Sequence, residues 1–196
     1  MNKEIIGKRK KRGKVKKMSK VLIITTSLRN NSNSDILASY LKKGAIDAGH
    51  EVEEVSLKNK TIKFCIGCLT CQKTGKCVLK DDTEEILKKV KNTDIIVFAT
   101  PIYYYELSGQ LKTLLDRLNP LYNTSYNFKK IYAIFTAAEN ENDTFTTAYN
   151  GLKGWVDCFS NATLKESINA GGLTGPKEVE QQKDLLNKAY KLGASL

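Results

Sequence analysis

Two groups of residues in this chain have types and spacings suited to chemistry. The first is Cys65-x2-Cys68-x2-Cys71-x5-Cys77, a compact string of four thiols. Soft thiolates this close together suit a [4Fe–4S] cluster, whose irons need four converging sulfurs from a short, irregular loop. The same donors would serve a tetrahedral zinc site, or act as redox-active thiols without metal. No proline follows Cys77, which sets the string apart from the bacterial ferredoxin run. The second group is Ser27-Leu28-Arg29-Asn30-Asn31-Ser32-Asn33-Ser34, hydroxyl and amide residues that follow an apolar β-branched run, Val21–Ile24. A strand entering a Ser/Asn-rich turn at a helix N-terminus forms an anion cradle. Free backbone N–H groups and the helix dipole favour a phosphate there, and hydroxyls add donors. The plainer alternative is a strand–loop–helix whose Ser32 or Ser34 only caps the helix. His50 is the single histidine, so a histidine-based triad or a multi-histidine metal site is excluded by count; it reads as a surface residue in a turn.

Both groups need elements to hold them. Val21–Thr25 reads as a buried strand, followed by a helix through Leu37, Leu41 and Ala45 that stops at Gly49. Residues 50–55 form a half-polar strand suited to a sheet edge. Residues 61–80, which carry the cysteines, are the least regular stretch. Asp82 with Glu85 gives a capping-box pattern for a helix that turns Ile86, Leu87 and Val90 inward. Asp94–Thr100 is the clearest central strand; it ends at Pro101 and opens into Tyr103-Tyr104-Tyr105. A helix with Leu111, Leu114, Leu115 and Leu118 follows, stopped by Asn119-Pro120. Ile131–Phe135 is another buried strand, Phe145 to Phe159 a helix, Leu164–Ile168 a poor strand, and residues 177–192 a final helix. Cys158 reads as a packing residue on its helix.

Five alternations of strand and helix, with no internal repeat or linker, call for a parallel sheet covered by helices on both faces. Ligands of such sheets bind beyond the carboxyl ends of the strands, at the switch in strand order. Residues 27–34, 101–106 and 136–142 all follow strands and therefore gather at that edge. The cradle has neither Gly-x-Gly-x-x-Gly nor Gly-x-x-x-x-Gly-Lys, which disfavours a dinucleotide or a nucleoside triphosphate. Ser27, Arg29, Ser32, Asn33 and Ser34 suit one terminal phosphate. Pro101, Ile102, Tyr103 and Tyr104 beside them suit a planar ring that needs stacking and edge hydrogen bonds. The tyrosines alone also fit a core or dimer-surface cluster. Phosphate cradle and aromatic loop on this architecture point to flavin mononucleotide (FMN).

The formal charge of +11 is unevenly placed. Residues 1–17 hold nine Lys/Arg and one acid, a net of +8, which leaves 11 − 8 = +3 for the rest. That distribution argues against nucleic acid as a partner of the folded part. The leader cannot bury apolar surface; it is a basic arm, a targeting segment, or a translated upstream region with Met18 as the native start. No apolar stretch follows it that would make a signal peptide, and none approaches a membrane span. The expectation is a disordered leader, 1–17, and one domain, 18–196, in the cytoplasm.

Ser27–Ser34 resembles the phosphate loop of the NADPH-dependent FMN reductase-like family of the flavodoxin fold. Thr100-Pro101-Ile102-Tyr103-Tyr104, with Ser108–Lys112 and Leu115-Asp116-Arg117, resembles that family's second signature. The resemblance spans about residues 19–195. It implies a five-stranded parallel sheet of order 2-1-3-4-5, FMN at the first loop with its ring flanked by the second, NAD(P)H as electron donor, and a small-molecule or flavin acceptor. It implies that Lys112, Asp116 and Arg117 support their helix and a subunit interface. Many relatives have a glycine pair where this chain has Ala137-Ala138. The cysteine string resembles that of iron–sulfur flavoproteins of the same family, with Cys65, Cys68, Cys71 and Cys77 as ligands. Those are homodimers or larger assemblies that relay electrons between a [4Fe–4S] cluster and FMN from a ferredoxin-like donor. A flavodoxin-like electron carrier without turnover is the non-enzymatic alternative.

Overall fold

The structure, a computed structural model, describes residues 18–196; the basic leader lies outside them. Three apolar strands form the middle of one sheet: β1 (Lys20–Thr25), β3 (Ile95–Tyr103) and β5 (Lys130–Thr136). Their side chains are buried on both faces, as β-branched runs between helical layers must be. Two more polar strands, β2 (Glu51–Ser56) and β6 (Thr163–Ala170), take the edges. The order is β2-β1-β3-β5-β6, parallel throughout, with Val21 opposite Val52 and Ile95, and Ile96 opposite Ile131. A sixth strand, β4 (Glu106–Leu107), pairs antiparallel with the end of β3 and lies off this path. With that two-residue strand set aside, the order is the expected 2-1-3-4-5. The β5–β6 pairing shifts register between Ile131 and Ala133, an irregularity that edge strands accommodate.

Helices α1 (Asn33–Asp47) and α6 (Lys183–Ser195) cover one face; α3 (Thr83–Asn92), α4 (Gly109–Arg117) and α5 (Thr146–Asp157) cover the other. The last of these faces is rich in rings, with Trp155 edge-on to Phe98 and Phe159. The first is closed by a very near approach of α1 to α6. A Cβ on Gly193 would fall 1.9 Å from the Leu41 carbonyl oxygen, and one on Gly44 2.0 Å from that of Tyr190. A five-residue helical segment, α2 (Thr70–Thr74), interrupts the cysteine stretch.

Four local expectations need correction. His50 is buried, not a surface residue, and its Nδ1 accepts from the Ser19 amide at 3.2 Å. The start of α3 is capped by Asp81, whose Oδ1 accepts from Thr83 N at 3.0 Å. Asp82 faces back instead, accepting from Thr61 N at 2.7 Å; a carboxylate can take whichever free amide the tertiary path brings to it. Cys158 is exposed, with its thiol on the Gly154 carbonyl at the end of α5. Arg117 is fully buried within this chain, so it supports its helix from inside and could reach a subunit interface only through the residues it holds. Lys112 and Asp116 do form an exposed pair one helical turn apart at 2.8 Å. No helix among the described residues is long and apolar enough to cross a membrane.

Candidate functional site

The carboxyl ends of β1, β3, β5 and β6 open onto one cleft. Ser27, Arg29, Ser32, Asn33 and Ser34 line it from the first loop, and Pro101, Ile102 and Tyr103 from the second. The expected phosphate residues and three of the four expected ring residues therefore line the same cleft. Tyr104 does not join them. It projects wholly into solvent at the tip of the β3–β4 hairpin, where Tyr104 and Tyr105 take φ of 50° and 65°. Consecutive left-handed residues between paired strands make a type I′ turn, a conformation that favours Asn and Gly over tyrosine.

The cradle is built by local hydrogen bonds. Ser32 stands at the N-cap of α1 and accepts from Asp35 N at 3.1 Å; its hydroxyl lies 3.2 Å from that of Ser34. Ser27 Oγ accepts from the Arg29 amide at 3.2 Å, and Asn31 turns the chain with φ of 53°. Beneath the cleft Ser108 caps α4, and its hydroxyl lies 3.0 Å from both Thr26 Oγ1 and Thr100 Oγ1. Asp35 sits in the first turn of α1. Burial pushes its carboxyl above the ordinary range, which the Ser32 hydroxyl opposes and Glu54 reinforces. The formal cation lining the cleft is Arg29.

A third and a fourth segment complete the cleft. Thr136, Ala137 and Ala138 follow β5, so the two alanines that replace the glycine pair do line it. Leu173 and Thr174 follow β6 and were not anticipated. They lie on a strap tied across the cradle by long-range bonds. Asn33 Nδ2 donates to Gly175 O at 2.8 Å while its Oδ1 accepts from Val179 N at 3.1 Å. Arg29 Nη1 donates to Thr174 O at 2.7 Å, and Lys177 N to Asn31 O at 3.1 Å. Asn33 is therefore a bracket whose amide is fully engaged, whereas Arg29 keeps guanidinium donors to spare. Gly171-Gly172 and, three residues on, Gly175-Pro176 are the sequence signals that mark this strap as a loop. Gly171 is needed there, since a Cβ would fall 2.4 Å from Glu139 O.

The cysteine excursion makes a separate site. Cys65, Cys68, Cys71 and Cys77 all line one small cavity, with Leu69, Leu79 and Asn119. Among the described residues no three His, Cys, Asp or Glu side chains stand close enough to hold an ion as placed. The donor set nevertheless fits a thiolate-bound centre. Asn119 Nδ2 donates to Cys71 Sγ at 3.1 Å. The Thr70 backbone N–H, then its hydroxyl, pull the exposed Cys68 thiol below its ordinary value. Arg117 stands beside Cys77; burial opposes its charge, but Asp81 and the Cys77 sulfur outweigh that. Donors aimed at sulfur stabilise thiolates and tune clusters. Left-handed residues Gly67, Leu69 and Gly75 give the loop its irregular course.

One buried pair ties this loop down. Arg117 Nη1 lies 2.5 Å from Asp81 Oδ2 and Nη2 3.1 Å from Oδ1, a bidentate fork between side chains that are each 1% exposed. The same guanidinium donates to Lys63 O at 2.7 Å and Leu79 O at 3.3 Å, so both limbs of the excursion are fastened to the end of α4. Burial would raise the Asp81 carboxyl, but Arg117 and the amides of Lys63 and Thr83 outweigh it and bring it down to about 2.

With this geometry in hand, the chain can be set beside known proteins. An iron–sulfur flavoprotein of Methanocaldococcus jannaschii is 41% identical over 102 residues, which are 52% of this chain and 53% of that protein; the chain thus spans about half the length of that relative. An iron–sulfur flavoprotein of Methanosarcina thermophila is 26% identical over 79% of this chain and 82% of its own length. A solved NAD(P)H:quinone oxidoreductase from Methanothermobacter marburgensis superposes with a TM-score of 0.75, covering 91% of this chain and 96% of that one at 16% identity, a likeness of fold. The family model of NADPH-dependent FMN reductase matches residues 19–153, well over half the chain. This chain belongs to the NADPH-dependent FMN reductase family.

Proposed function

We propose that this chain is an FMN-dependent oxidoreductase that takes reducing equivalents from NAD(P)H and passes them to a small-molecule or flavin acceptor. The observation that carries this reading is the single cleft in which Ser27, Arg29, Ser32 and Ser34 meet Pro101, Ile102 and Tyr103. When bound, the flavin supplies the hydride and electron chemistry. The chain binds and orients it. The hydroxyls of Ser27, Ser32 and Ser34 and the free amides at the start of α1 receive the phosphate, with the dipole of a fifteen-residue helix behind them. Arg29 adds a charge-assisted contact while its bond to Thr174 fixes its position. Pro101–Tyr103 form one wall for the ring; the short side chains of Ala137 and Ala138 leave room opposite, and Leu173 excludes water. Asn33 keeps the strap over the cradle instead of touching the ligand.

The test is to load the full chain with FMN without oxygen and add NADPH or NADH. Loss of the blue flavin bands, returning when an acceptor is added, supports the reading. A chain that does not retain FMN, or whose flavin neither nucleotide reduces, overturns it; the second outcome would leave an electron carrier.

The cysteine loop adds an iron–sulfur reading, favoured by four thiols on one cavity with hydrogen-bond donors at three of them. Cys65, Cys68, Cys71 and Cys77 would hold a [4Fe–4S] cluster, which would exchange single electrons with the flavin from a ferredoxin-like donor. Anaerobic protein should then contain about four irons and four sulfides per chain. Replacing any one of the four by Ser should lose most of the iron, while Cys158→Ser loses none. In the same reading the chain is a homodimer, with a second copy covering the exposed Phe64 and Ile66; sedimentation of the FMN-loaded chain tests it.

A further inference from the structure

A second cavity shares Cys77 and Leu79 with the thiol-lined one and opens between the cysteine excursion and α3. Its floor is apolar, formed by Leu79 and by Leu87, a half-buried residue of α3 that also packs against the core. Its rim is strongly cationic, with Lys76, Lys80, Lys88 and Lys91. Glu84 is the one acid that lines it, shared between Lys80 at 3.6 Å and Lys88 at 3.5 Å. Lys76 and Lys91 make no ion pair among the described residues. The Arg117 charge at the back is already matched by Asp81. Four lysines against one glutamate leave an excess of three positive charges around an apolar floor.

That combination selects among ligands. A bare phosphate or sulfate gains nothing from a leucine floor and would have to shed its hydration against it. A nucleic acid is held by a basic groove that tracks its backbone, with aromatic side chains on which bases stack, and no aromatic residue lines this cavity. An apolar body bearing one negative group satisfies both parts, with lysine stems covering the ring and ammonium groups meeting the charge. We propose that this cavity binds an amphiphilic organic anion of the aromatic-carboxylate class, and that its occupant covers Cys77. The inference is independent of the flavin reading, since none of these residues lines the flavin cleft.

The test uses FMN-loaded full chain, so that the flavin cleft is occupied, and 2-naphthoate as probe. Calorimetry should show one site per chain. Naphthalene-2-methanol, which keeps the ring and loses the charge, and sulfate, which keeps charge and loses the ring, should each bind at least about tenfold more weakly. Leu87→Glu should weaken naphthoate by about tenfold or more, and so should Lys91→Glu, a surface change that leaves the core untouched. In iron-free chain, saturating naphthoate should slow alkylation of Cys77 by iodoacetamide about fivefold or more, while Cys65 and Cys68 keep their rates. Absence of naphthoate binding, equal binding of the neutral alcohol, unaltered affinity in the Lys91→Glu chain, or an unchanged Cys77 rate overturns the proposal.

Discussion

Removing Arg117 tests whether a single ion pair holds the cysteine excursion in place. The pair is bidentate, both side chains are 1% exposed, and the guanidinium also bonds two carbonyls, Lys63 O and Leu79 O. Arg117→Met leaves the Asp81 carboxylate buried without its cation and two carbonyls without donors, a change that costs about 3–5 kcal/mol. Arg117→Met combined with Asp81→Asn removes the stranded charge, so it should recover roughly 1.5 kcal/mol or more of that loss. The pH profile gives an independent handle. Asp81 titrates near 2 in the folded chain against 3.8 without the fold. A depressed carboxyl stabilises the fold fully above its unfolded value and loses that contribution as pH falls through 4 toward 2. The difference amounts to roughly 2–2.5 kcal/mol. Urea denaturation of wild type, Asp81→Asn, Arg117→Met and the double variant, at neutral pH and then stepwise to pH 3, where about 1 kcal/mol of that contribution is already lost, measures both effects. Wild type should lose stability on acidification by an amount that Asp81→Asn does not show. If Arg117→Met is no less stable than the double variant, or if Asp81→Asn keeps the full acid loss, the loop is held by something else.

Three further outcomes are expected. Arg29→Ala should weaken FMN about ten- to a hundredfold and leave riboflavin, which lacks the phosphate, almost unaffected; equal losses for both would move the phosphate out of the cradle. Gly193→Ala should lower the melting temperature by about 5–10 °C, because its Cβ would meet the Leu41 carbonyl at 1.9 Å and backbone must shift; an unchanged melting point would mean that α1 and α6 are not this close. Tyr104→Asn with Tyr105→Gly should stabilise the chain by about 1 kcal/mol in the same denaturation assay, since both positions have positive φ; destabilisation would show that these rings are packed against something.

The central strands were legible because burial on two faces leaves a short continuous apolar run, as in Val21–Ile24 and Ile95–Ala99, whose length and β-branched residues set it apart from a buried helix. The alternation of those runs with helices marks the sheet edge where loops collect, and Ser27, Arg29, Ser32, Pro101 and Tyr103 line one cleft there. What stayed hidden depends on partners far away in sequence. Leu173 and Thr174 reach the cleft because Asn33 bonds Gly175 and Val179, more than 140 positions later. Asp81 and Asp82 are adjacent carboxylates, and local pattern cannot say which one turns to the helix when Arg117 and Thr61 compete for them. The strand β4 escaped because its turn is Tyr104-Tyr105, without the Asn-Gly signal that marks such hairpins. His50 looked like turn polarity; a backbone amide thirty-one residues away makes it a buried acceptor.

The helix α4 joins the two sites that the sequence presents as separate motifs. Its cap, Ser108, sits in the hydroxyl group of Thr26 and Thr100 directly under the cleft. Its last residue, Arg117, clamps both limbs of the cysteine excursion. Nine helical residues span about 13 Å, and Leu111, Leu114 and Leu115 bury that helix against the sheet, so it cannot shift at one end alone. The distance from cleft to thiols is therefore set by a rigid element and not by the loops that carry either group of ligands. An irregular loop is only as rigid as what fastens it, and here a buried ion pair at the end of that helix, with bonds to Lys63 O and Leu79 O, ties down both limbs of the excursion.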